Sequence, residues 1–132
     1  MYEDALAELR GGRKRSHWIW FVFPQIDGLG SSSTARHYAI KSLDEARAYL
    51  RHAVLGARLL DCTRAVNALE GRSAHAIFGS PDDMKFRSCM TLFELAGFES
   101  TAGEPCGFSA ALEKYYNGER DAATLNILGR TA

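Results

Sequence analysis

Arg13-Lys14-Arg15-Ser16-His17-Trp18-Ile19-Trp20-Phe21-Val22-Phe23-Pro24-Gln25 sets three cations and an imidazole directly against both tryptophans of the chain. One end of this stretch has to stay wet and the other has to be buried. The apolar run from Trp18 to Phe23 is far short of the roughly 20 residues that cross a bilayer and too apolar to leave in water, so it belongs in a core. Both of its faces are apolar and its residues are aromatic or β-branched, which suits a buried strand as well as a helix. No other segment offers a convincing strand partner, and a lone strand leaves its backbone groups unpaired. Helix is therefore the expectation, with Ser16 as its cap and Pro24 as its terminator.

Upstream, Tyr2, Ala5, Leu6 and Leu9 recur at helical spacing and Gly11-Gly12 follows as a stop. No cap precedes them, so this helix is expected either to begin raggedly or to lack its start. Downstream, Gly28 to Thr34 is a loop by its glycines and serines, and Ser42-Leu43-Asp44-Glu45 fits a capping box opening a helix that runs to about His52. Leu55, Leu59, Cys62, Val66 and Leu69 share one face and predict a helix from Val54 to Leu69, with Gly71 just past its end. Ser80-Pro81-Asp82-Asp83 predicts another helix start, Ser80 capping and Pro81 at the first helical position. Phe86, Cys89 or Met90, Phe93 and Ala96 form its inner stripe and Gly97 closes it. Phe108, Leu112, Tyr115 and Tyr116 predict a helix stopped by Gly118, and Asp121 caps a last short one through Leu128, ended by Gly129. The expected fold is mainly α: a compact single domain over residues 1–132, with about five to seven helices around the buried aromatic segment Trp18 to Phe23.

A chain of 132 residues buries about two thirds of its unfolded surface without staples, so one domain suffices. With 46% hydrophobic and 24% charged residues it has the profile of a globule and not of a disordered tail. A net charge of zero and a pI near 6.9 argue against a dedicated nucleic-acid or membrane-surface binder, since those partners demand a basic excess. Cys62, Cys89 and Cys106 are widely spaced, which suggests neither a disulfide framework nor a thiolate zinc site but thiols in a reducing compartment. There is no signal-peptide pattern, and the expected location is the cytoplasm. His17, His37, His52 and His75 show no metal-ligand spacing, so neither a metal nor another cofactor is expected.

The block from Arg13 to Gln25 resembles the signature of an uncharacterised bacterial and fungal family, known mainly as a domain of unknown function and sometimes labelled calpastatin-like. Tyr38 to Ile40, His52 to Gly56, Ile77 to Lys85 and Thr124 to Gly129 look like its further blocks, in the same order. Similar members have proline where Ala53 stands, serine where Cys89 stands, and more helical sequence before Tyr2. The resemblance implies a mostly helical fold and carries no established activity. A calpastatin-like inhibitor is expected to be disordered until it meets its target, which this composition contradicts.

For function, Arg13, Lys14 and Arg15 are the candidate anion ligands, because guanidinium groups grip oxyanions at two points and lysine adds a point charge. The bland alternative is that they complement the dipole of the preceding helix. His17, at the boundary between charge and core, is the candidate acid–base group; a boundary histidine satisfied by a backbone carbonyl is the alternative. Gln25, Ser31, Ser32 and Tyr38 are candidates for orienting the ligand, and Lys85 for completing the anion site, unless it pairs with Asp82. Trp18 and Trp20 are assigned to the core. The expected function is binding of an anionic small molecule, phosphate- or nucleotide-containing, near Arg13 to Ser33, with any catalysis being hydrolysis or group transfer. The rival is a non-catalytic protein-interaction module built on the basic cluster and adjacent apolar surface. Oligomeric state is not encoded in any pattern of the chain.

Overall fold

The Trp18 to Phe23 run is a single helical turn. In the computed structural model, which describes residues 2–16, 18–29, 33–97 and 107–131, the helices of the described residues are α1 (Tyr2–Arg10), α2 (Ile19–Val22), α3 (Ser33–Tyr38), α4 (Leu43–Arg51), α5 (Leu55–Asn67), α6 (Ala74–Phe78), α7 (Asp82–Gly97), α8 (Phe108–Tyr116) and α9 (Ala122–Thr131). The fold is mainly α, as expected, with nine helices among the described residues instead of five to seven. The surplus comes from α3 and α6, whose 6 and 5 residues are too short to display an apolar period.

α7 is the axis of the core. Phe86, Cys89, Met90, Thr91, Leu92, Phe93 and Ala96 are all buried, so the helix is covered on nearly every side. Its main neighbours are α4 and α8, with α6 and α9 also against it; α1 and α4 pack on α5. Phe23, held at the end of α2, reaches α7 through an edge-on contact with Phe86 at 4.8 Å between ring centroids, and Phe78 of α6 stacks on Phe86 at 4.6 Å. The aromatic segment is thus seated in the core, although only part of it: Trp18, Ile19, Val22 and Phe23 are buried, while Trp20 and Phe21 are half-buried.

Helix punctuation follows the sequence closely, with informative slips. The Ser42 hydroxyl accepts from the Glu45 amide at 3.1 Å, but the Glu45 carboxylate takes the Lys41 amide instead of the Ser42 amide. Asp121 caps α9 through the Thr124 amide, and α9 runs on through Gly129 to Thr131. Ser16 does not cap α2, because its hydroxyl and amide both go to the Glu8 carboxylate, a charged and therefore stronger acceptor. α7 starts at Asp82, one residue later than expected, after a cis Ser80–Pro81 peptide. The only extended pairing among the described residues is a parallel bridge between Ile26 and Ile40, flanked by hydrogen bonds from Asp27 N to Ile40 O (2.7 Å) and from Ile40 N to Gln25 O (2.8 Å).

Candidate functional site

The basic stretch after α1 is held by one carboxylate. Glu8, in the last turns of that helix, accepts from the amides of Arg15 (2.6 Å) and Ser16 (2.9 Å), the Ser16 hydroxyl (2.7 Å) and the Trp18 indole N–H (3.0 Å). Burial pushes the Glu8 carboxyl up, but these four bonds, the Ser16 hydroxyl foremost, outweigh it and hold the group at about 2. The loop is further pinned where Lys14 N donates to Ile77 O at 2.7 Å, at the end of α6. Gly12 turns the chain with φ +82°, and a Cβ there would stand 2.7 Å from Arg72 Nε. The left-handed turn is what requires glycine here, and Arg72 lies across it.

This arrangement brings Arg13, Lys14, Arg72 and His75 around an open concavity of about 410 Å³, floored by Ile77 to Gly79. The four side chains are not equivalent. Lys14 is only 6% exposed, its Nζ 2.7 Å from Asp82 Oδ2 and 5.2 Å from the Trp18 ring centroid, so its charge is already met. His75 Nδ1 lies 3.7 Å from Asp83 Oδ2. Arg13 and Arg72 are exposed and have no ion-pair partner among the described residues. Two unpaired guanidinium groups at one concavity can grip an oxyanion with several parallel N–H bonds, and the imidazole beside them can donate a hydrogen bond or carry a proton.

The other residues singled out in the sequence lie elsewhere. Gln25 and Tyr38 line a separate depression beside Trp20, with about 10 Å³ of free space, room for a single water. Tyr38 packs on Phe21 at 5.6 Å. Lys85 sits 3.4 Å from Asp82 Oδ1 and 4.5 Å from the Trp20 ring centroid, so Asp82 is shared by Lys14 and Lys85. Trp20 is consequently not core, as assigned, but a half-buried platform under a lysine. Arg15 is exposed and contributes its amide to Glu8. His17, Ser31 and Ser32 lie outside the described residues.

Arg72 and His75 carry no motif, and nothing local links them to Arg13. Their one legible feature is that they flank Ser73, whose hydroxyl caps α6 by accepting from Ala76 N at 3.1 Å, which sets one on a loop and the other in a first turn, both exposed. Among the described residues no group of three or more His, Cys, Asp or Glu could hold a metal, and no helix is long and apolar enough to cross a membrane. Cys62 and Cys89 are fully buried; burial pushes the Cys62 thiol up to about 11 and the Cys89 thiol well above its usual value, which makes both inert. Cys106 lies outside the described residues.

The chain is 52% identical to the conserved hypothetical protein Rv1873 from Mycobacterium tuberculosis, known from a crystal structure. The match has a TM-score of 0.90 and covers 97% of this chain and 88% of that one. No curated protein matches the chain. The family described as "Protein of unknown function (DUF1810)" matches residues 1–128. On that span the chain belongs to the DUF1810 family.

Proposed function

We propose that this protein binds an anionic, phosphate-containing small molecule in the concavity between the loop after α1 and α6. The observation that supports this reading is the pair Arg13 and Arg72, two cations brought together from distant parts of the chain with no carboxylate between them. Two exposed cations with no ion-pair partner among the described residues leave this concavity positive, which attracts an anion. In this reading Arg13 and Arg72 hold the oxyanion, and Lys14 fixes the wall through Asp82. Where binding leads to reaction, the chemistry is hydrolysis or transfer at phosphate, with His75 in the wall as one acid–base group and His17, three residues past Lys14, as the other. The interaction-module reading has less support, since none of the large exposed apolar side chains of the described residues (Tyr38, Val54, Leu55, Met84 and Leu125) lines this concavity. The free thiols of Cys62 and Cys89 support a reducing, cytoplasmic setting in this reading.

The test is thermal unfolding against phosphate, pyrophosphate, nucleotides and sugar phosphates, with the Arg13→Ala and Arg72→Ala variants alongside. A ligand at a hundredfold excess over its Kd adds about 2.7 kcal/mol to stability, which raises Tm by several degrees. The expected result is a rise for at least one phosphate compound that each variant reduces or removes. A flat response across the panel, or a rise that survives both substitutions, rejects the proposal.

A further inference from the structure

On the other side of α1, a second cavity of about 220 Å³ has a different chemistry. It is formed where Tyr2 of α1, Phe21 and Val22 of α2, Tyr49 of α4, and Leu55 and Arg58 of α5 converge. Its walls are mostly aromatic and aliphatic, and its volume exceeds by about half the roughly 150 Å³ of an apolar cavity that accepts benzene. The single charged group in the lining is Arg58. Its guanidinium lies 4.6 Å from the Tyr2 ring centroid and has no ion-pair partner among the described residues, Asp61 on the next turn being engaged by Arg64. The Tyr2 hydroxyl is buried against the Cys62 thiol, its polar neighbour. Arg58 is exposed, so the arrangement is an apolar hole with a single solvated cation at its rim, which suits a ligand with a ring at one end and a negative charge at the other.

We propose that this cavity binds a small aromatic carboxylate, its ring between Phe21, Val22 and Tyr49 and its carboxylate on Arg58. The site is independent of the Arg13 and Arg72 concavity and does not rest on the phosphate reading. Cations over aromatic faces are common in folded proteins and need no ligand. Here the cation stands over the wall of a cavity large enough for a ring, and it is the two together that specify the class.

Benzoate is the probe, with benzyl alcohol as its uncharged counterpart and benzamidine as its cationic one. Binding is followed by ligand-observed NMR and by the shift in Tm. Benzoate is expected to bind at least tenfold more tightly than benzyl alcohol, and benzamidine not at all. Arg58→Gln should remove the preference for benzoate while leaving benzyl alcohol unchanged. Val22→Phe combined with Leu55→Trp, the latter at a position 38% exposed, should narrow the hole below ring size and abolish both; Val22→Trp gives the same readout should that double variant fail to fold. Arg13→Ala should change nothing. Equal affinities for the three probes, a preference that survives Arg58→Gln, or binding that survives a filled cavity would overturn the proposal. Benzoate binding lost in Arg13→Ala would also overturn it, by assigning the carboxylate to the other concavity.

Discussion

A carboxylate that accepts four hydrogen bonds from residues seven to ten positions downstream, as Glu8 does, fixes the direction in which the whole basic stretch leaves α1. Since its folded-state pKa of about 2 lies below the ordinary 4.5, the bonds contribute fully above pH 4.5 and are lost as pH falls toward 2. Glu8→Ala should therefore lower stability by about 1–3 kcal/mol at neutral pH, and the difference from the parent protein should shrink in urea titrations repeated from pH 5 down to pH 2.5. At this scale the sequence is only half legible. Arg13 is visible as a candidate because it stands in a cluster of its own kind, whereas Glu8 is one acid among several on a helix. Arg72 and His75 acquire their place only when α6 folds back on the loop. No spacing rule records a contact between residue 13 and residue 72.

Among the helices, α4 and α5 meet at an unusually close approach. A Cβ on Gly56 would lie 2.1 Å from Leu50 O, a backbone atom that cannot swing away, so the two helices can approach only over a glycine. Gly56→Ala should force them apart and cost about 1–3 kcal/mol in chemical denaturation. Gly129 of α9 is the counterpart, with nothing within 4 Å of its virtual Cβ; Gly129→Ala should raise stability by about 0.5–1 kcal/mol through helix propensity alone. The two glycines look alike in sequence, and both precede or follow apolar residues at helical spacing. That explains a pattern in what could be read. Long helices announce themselves through period and caps, as α5, α7 and α8 do, and Asp121 and Ser42 cap where expected. Short ones do not: α6 is set by a Ser73 cap and by Gly79 at φ +74°, with only five residues between them and no room for a stripe. α5 has a start that sequence does not suggest either, the His52 imidazole Nδ1 accepting from the Val54 and Leu55 amides at 3.2 and 3.1 Å.

The molecule as a whole is organised outward from α7, with Cys89 on that axis and Cys62 on α5, both without exposed surface. A thiol reagent can reach them only through opening of the core, so in a Cys106→Ser variant the reaction of the remaining two thiols should be slow under native conditions and should accelerate in step with global unfolding in denaturant. A fast native phase would show that the core opens locally. The mainly helical class around a buried aromatic segment follows from composition and period, and it holds; the aromatic run supplies one buried turn of helix, while the less conspicuous Asp82–Gly97 segment supplies the axis. Hydrophobicity alone ranks Trp18 to Phe23 first, but burial on all sides depends on neighbours that no local window contains. The parallel bridge between Ile26 and Ile40 has a consequence of another kind. It fastens the ends of the intervening segment with backbone hydrogen bonds, and both isoleucines are buried, so the chain leaves and re-enters the core at two fixed points. Doubling the length of such a closed segment costs only about 0.6 kcal/mol. The two anchored ends therefore keep their place in the fold when the length of chain between them changes.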